Sequence, residues 1–222
     1  MGPRRPCSPW RCHRETGRAG WIPRPGVALV AIDLQNDFVH PEGLFASNGM
    51  TVPDLDGLFG ATNRLVAAAR RGGRPVYWVR MVWDDERDGG LLVARSPMPA
   101  IARAHRRGTW GAELHEALDS APGDRMIDKT RFSAFFRTDL ERHLADDGIG
   151  TLVVAGVRTD FCVESTVRDA FFRDLRVLVA APAVSGYVPE LHENSLLQMG
   201  TVFAEVAALD RAERLLTGES QA

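Results

Sequence analysis

The chain has 222 residues, of which 45% are hydrophobic and 25% charged, and its formal net charge is -2. That length suits one domain with a single core, since domains commonly run about 100 to 200 residues. The near-balanced charge provides no basic field to attract nucleic acid, and no apolar run approaches the roughly 20 residues that cross a bilayer, so neither partner is expected.

Residues 1–22 read as a disordered basic extension, because Arg4, Arg5, Arg11, Arg14 and Arg18 face one acid, Glu15, with no apolar segment behind them. It is not expected to be a secretory signal. Cys7, Cys12 and His13 lie there without a second ligand pair, which argues against a zinc site. Residues 23–222 read as the folded domain. Its one cysteine, Cys162, cannot form a disulfide within that domain, so a reducing, cytoplasmic setting is expected.

From residue 27, short β-branched runs alternate with longer amphipathic stretches, the pattern of parallel strands joined by crossover helices. ALVAID (28–33) is the first strand, and 55–71 a helix that Gly72-Gly73 ends. PVYWVRM (75–81) is the second strand. A short helix over 112–118, a short strand at 125–127 and a helix over 138–146 follow. TLVVAGV (151–157) is the most strand-like run in the chain. A helix over 160–174, the strand RVLVAA (176–181), a final helix over 189–199 and a short strand near 201–204 complete the reading. The expected fold is a three-layer α/β/α domain with a mainly parallel sheet, whose sites form at the carboxyl ends of the strands.

Three residues converge on that edge: Asp33 after the first strand, Lys129 after the short one and Cys162 after TLVVAGV. Each alone is ordinary, since a strand-end Asp is usually a cap and a single Cys usually packs as a small apolar side chain. Two features weigh against that reading. The 27 basic residues include a single lysine, Lys129, and a compact, tunable ammonium is what a site beside a thiol and a carboxylate needs. Cys162 also lies in the first turn of a helix that Thr159 or Asp160 is placed to cap. There the dipole and an adjacent ammonium favour thiolate over thiol. The backbone N–H groups of Cys162 and of the turn near Arg158 are placed to hold a tetrahedral oxyanion.

The motifs AIDLQNDF (31–38), RGTWGAEL (107–114), DKTRFSAFFRTDL (128–140) and AGVRTDFCVESTVRDAFF (155–172) resemble those of the isochorismatase-like cysteine hydrolases over residues 25–215. The resemblance implies a catalytic triad of Asp33, Lys129 and Cys162, and a cis peptide between Val157 and Arg158. It also implies hydrolysis of a C–N bond in a small amide, carbamoyl or ureido substrate through an acyl-enzyme on Cys162, and a homodimer or homotetramer. An intact Cys162 argues for C–N over vinyl-ether cleavage. The Asp-x-His of metal-dependent nicotinamidases is missing from MVWDDERDGG (81–90), so no metal or other cofactor is expected.

The chain looks closest to the ureidoacrylate, biuret and N-carbamoylsarcosine branch, although Met81 and Phe132 stand where an amide and a tyrosine are expected. Residues expected at the pocket are Asn36, Phe38, Trp83, Trp110, Phe132, Phe135 and Arg158. Ordinary core packing is the alternative for the aromatic ones. His143 and His192 are given no role, and the charged residues of 84–107 read as a solvated lid or subunit contact. Two other readings stay open: an isochorismatase-type or nicotinamidase-type hydrolase with an altered site, and a catalytically silent binding member of the fold.

Overall fold

The computed structural model describes residues 25–219. The extension expected over 1–22, with Cys7, Cys12 and His13, lies outside the described residues. Six strands form one sheet: β1 (Gly26–Ile32), β2 (Val76–Met81), β3 (Arg125–Lys129), β4 (Ile149–Val157), β5 (Arg176–Ser185) and β6 (Glu205–Ala207). Their order is β3-β2-β1-β4-β5-β6, and every pairing is parallel. The helices are α1 (Asn36–Val39), α2 (Leu55–Arg71), α3 (Leu91–Arg95), α4 (Leu140–Asp146), α5 (Glu164–Phe171), α6 (Pro189–Gln198) and α7 (Leu209–Thr217).

β1 and β4 lie side by side at the centre and run as nearly unbroken apolar sequences, because a parallel strand with helices on both faces has no solvent face to leave polar. α2 and α7 pack together and against β1 and β5; α4 and α5 pack on β4 and β5. Right-handed crossovers that leave the centre in opposite directions place their helices on opposite faces, which gives the three layers. No helix among the described residues is long and apolar enough to cross a membrane.

α2 begins where the Asp54 side chain accepts a hydrogen bond from Gly57 N at 2.9 Å, and it ends at Gly72 as its sequence predicts. Four expectations change. The helix expected over 112–118 is absent: Trp110–Ala112 makes one 3-10 turn, after which Leu114 bridges to Gln35 and His115 N donates to Leu34 O, drawing the chain out straight. The helix expected over 160–174 opens as a π turn, Thr159–Val163, before α5. The last strand lies at Glu205–Ala207, beyond the expected 201–204, because Met199–Phe203 forms another π turn before the chain meets Leu178–Ala180. The helix over 189–199 is not the final one. α7 follows it, burying Leu209, Ala212 and Leu216 and pairing Glu213 with Arg64 of α2 at 2.7 Å.

The two central strands approach so closely at Gly156 that a Cβ there would stand 2.1 Å from Ile32 O, and its φ is +124°. Gly156→Ala therefore combines backbone strain with overpacking and is expected to lower stability by at least about 2 kcal/mol in chemical denaturation.

Candidate active site

The order of the strands reverses direction between β1 and β4, and the crevice beyond their carboxyl ends is where an open α/β sheet forms its site. Asp33 follows β1 directly. Its φ of +55° puts a non-glycine residue in the left-handed region, a conformation that persists only where the surroundings impose it. Cys162 follows β4 within the π turn, just beyond a cis peptide between Val157 and Arg158, the bond implied by the sequence motifs. Lys129 ends β3, the edge strand, opposite Met81 of β2, and its Nζ reaches Asp33 after β1.

The three side chains meet. Lys129 Nζ donates to Asp33 Oδ2 at 2.7 Å, contacts Cys162 Sγ at 3.4 Å and donates to Arg131 O at 3.1 Å. Asp33 and Lys129 are fully buried, and Cys162 is 3% exposed. Burial raises the Asp33 carboxyl above its ordinary value despite the opposing charge of Lys129. Burial pulls the Lys129 ammonium down, but the Asp33 carboxylate and the Cys162 sulfur outweigh it and hold the group above an ordinary lysine.

The thiol behaves differently from the sequence expectation. Burial, reinforced by the neighbouring Asp33 charge, raises Cys162 against the pull of Lys129, so the resting group is a thiol and not a thiolate. The expected cap is also missing. Thr159 Oγ1 bonds His192 Nδ1 at 2.8 Å, while Asp160 pairs with the Arg158 guanidinium at 2.7 Å. The chain enters the turn at Arg158 with no side-chain cap.

Three consecutive polar residues after Leu34 hold the neighbouring loops, a role that sequence reading missed. Gln35 Nε2 donates to Met81 O and Ala112 O, each at 2.8 Å, and Gln35 Oε1 accepts from Met81 N at 2.7 Å. Asn36 Nδ2 donates to Trp110 O at 2.8 Å, and Asp37 Oδ2 accepts from His105 N at 2.7 Å. The signal was present as an unbroken polar run, QND, directly after an apolar strand.

Cys162 opens onto a cavity of about 250 Å3. Of the residues expected there, Phe38, Phe132 and Arg158 line it beside Cys162, as does Met81. The other four do not. Asn36 is spent on the Trp110 carbonyl, and Trp110 itself is 52% exposed with its ring edge-on to His40. Trp83 is fully buried behind the wall, edge-on to His105, and Phe135 is buried beneath the Arg173 guanidinium. The segment 84–107 is a fastened cover: Leu92, Met98 and Ile101 face the cavity, Arg131 bonds Asp88 O, and Arg107 joins Asp84 at 2.7 Å to Asp128 at 2.9 Å.

His105 is the wall residue that sequence reading passed over. It is buried with φ +55°, its ring stacks on Phe38 at 4.3 Å, and neither ring nitrogen has a hydrogen-bond partner. Burial, with Lys129 adding its charge, holds the imidazole down to about 3, so it is neutral at physiological pH. Among the described residues no group of three or more His, Cys, Asp or Glu side chains is placed to hold a metal ion.

Comparison with known proteins places this geometry among relatives. The isochorismatase domain family matches residues 27–211. The ureidoacrylate amidohydrolase RutB of Methylobacterium radiotolerans is 33% identical over 201 residues, covering 83% of this chain and 78% of the relative. The N-carbamoylsarcosine amidase of Thermoplasma acidophilum superposes with a TM-score of 0.68 at 26% identity, covering 83% of this chain and 97% of the other. A cysteine hydrolase from Pseudomonas syringae pv. phaseolicola shares the fold, with a TM-score of 0.79 at 24% identity and coverage of 90% and 96%.

His105 also makes a pH prediction. Its folded pKa lies below the ordinary 6.5, so the unfolded chain binds the extra proton and stability falls as pH drops from about 6.5 towards 3. Denaturation between pH 7 and 4 is expected to show wild type losing stability more steeply than His105→Phe, with an excess slope of up to about 1.4 kcal/mol per pH unit for one proton.

Proposed function

The chain belongs to the isochorismatase family, and from that premise we propose that it hydrolyses a C–N bond of a small amide, carbamoyl or ureido compound through an acyl-enzyme on Cys162. The observation that carries this reading is one buried ammonium, Lys129 Nζ, in contact with both the Asp33 carboxylate and the Cys162 sulfur, which lines a cavity. The names of the relatives, a ureidoacrylate amidohydrolase and an N-carbamoylsarcosine amidase, support the same bond class.

A resting thiol needs a base, and burial has raised the proton affinity of Asp33. In the first half-reaction the Cys162 proton passes to Asp33, Sγ bonds the carbonyl carbon, and the resulting oxyanion lies against the backbone N–H groups of Cys162 and Arg158. The C–N bond then breaks, and the leaving amine or ammonia takes the proton from Asp33. In the second half, water gives a proton to Asp33 and adds to the thioester carbon; Cys162 leaves and recovers that proton. Lys129 stays charged throughout and stabilises the anionic partner of each step. No step requires a cofactor, and the reading assigns none.

An ammonia-release screen over primary amides and N-carbamoyl and ureido compounds tests the bond class. Turnover is expected for at least one class and is expected to vanish in Cys162→Ala; activity retained by that variant would remove the thiol from the mechanism. Lys129→Arg is expected to lose at least about 100-fold in kcat/KM, because a larger planar cation cannot occupy the same point between sulfur and carboxylate. Since Asp33 must be ionised to accept the proton, kcat/KM is expected to fall on the acid side at a pH above the ordinary aspartate range.

A further inference from the structure

The walls of the cavity say more about the substrate than the triad does. Every lining residue is apolar except Ser96, His105, Arg158 and Cys162. The apolar ones come from five separate parts of the chain: Phe38 and Met50 after β1, Met81 at the end of β2, Leu92 and Met98 in the cover, Phe132 after β3, and Phe161 in the π turn. Phe38, Phe45, Met81 and Ile101 belong to the hydrophobic core, and Met50, Leu92, Met98 and Phe132 pack against it, so the core itself presents an apolar wall beside the buried sulfur.

The one charged side chain in the wall, Arg158, is already paired. Its Nη2 lies 2.7 Å from Asp160 Oδ2 and its Nε 3.3 Å from Asp160 Oδ1, and the guanidinium lies over the Phe161 and Tyr187 rings at 4.2 and 4.8 Å. Asp160 is itself only 7% exposed, so the pair is neutral and held away from water. Behind Cys162, outside the lining, the Lys129 ammonium faces the Asp33 carboxylate, a second compensated pair. A substrate carboxylate entering here would leave water for an apolar wall and meet no free cation, a large desolvation cost without return. The cavity of about 250 Å3 is also smaller than the roughly 300 to 1,000 Å3 that accommodate drug-sized ligands.

Resting on the C–N hydrolase reading above, we propose that this pocket selects small uncharged amides or ureides whose non-reacting part is apolar, and that the Arg158–Asp160 pair excludes carboxylate-bearing analogues. Phe38, Met81, Met98 and Phe161 contact the apolar part, and each added methylene is expected to improve binding about fourfold until the cavity is full.

Two matched pairs test this, each replacing a carboxylate by an isopropyl group of the same shape: 3-ureidopropionate against (3-methylbutyl)urea, and succinamate against 4-methylpentanamide. Calorimetry on Cys162→Ala reads binding without turnover. At least tenfold tighter binding of the neutral member of each pair is expected; equal or tighter binding of the carboxylate overturns the proposal. Turnover by wild type reads the hydrolase reading separately, because the neutral compounds binding without being hydrolysed would support the pocket assignment and count against the bond class. Asp160→Asn releases the Arg158 charge and is expected to raise the ratio of carboxylate to neutral kcat/KM at least tenfold. An unchanged ratio in a variant that still turns over the neutral compound shows that the pair does not set the charge preference and overturns that part.

Discussion

A carboxylate and an ammonium 2.7 Å apart, neither reached by solvent, is the interaction on which this structure depends. Each ion alone would cost several kcal/mol to bury, and the pair offsets that cost only if its geometry is held. The fold supplies the hold. Asp33 is fixed by the left-handed turn at the end of a central strand, and Lys129 by its place in the last pairing of β3 with β2. Arg131 O takes a further ammonium hydrogen, while Asp33 Oδ1 has no partner. In the proposed mechanism this carboxylate, beside the Cys162 thiol, is the proton acceptor, which gives the incompletely bonded Oδ1 a functional reading.

The same burial that makes the pair costly determines the state of the thiol. The nearby Lys129 ammonium pulls Cys162 towards thiolate, but removal from water and the Asp33 charge outweigh it. In the proposed mechanism Cys162 is therefore a thiol that a base of raised affinity activates, not a standing nucleophilic anion. The rest of the site follows from keeping water out. Gln35, Asn36 and Asp37 spend their side chains on the backbone of the loops that carry Met81, Trp110 and His105, and arginines fasten the cover whose apolar side closes the cavity. Buried polar groups that bind backbone fix loop positions more rigidly than apolar contacts alone.

The sequence by itself determined the central strands and singled out Asp33, Lys129 and Cys162, which the fold brings together. β1, α2, β2 and β4 were legible because buried parallel strands must be continuously apolar and because Asp54 and Gly72 mark a helix chemically. The single lysine and the single cysteine of residues 23–222 were legible because composition alone sets them apart. Only the tertiary structure decided what surrounds them. Trp83 and Trp110 look alike in sequence, each an aromatic in a polar loop, yet one is buried behind the wall and the other faces solvent. His105 carries no local sign of its neutrality, which comes from Phe38, Lys129 and its burial, all distant in sequence. The segment 112–118 was drawn away from helix by Leu34 and Gln35, some 80 residues earlier. Local pattern records what a residue prefers within its own element, whereas exposure, protonation and the lining of a cavity are set by neighbours that pattern does not reach.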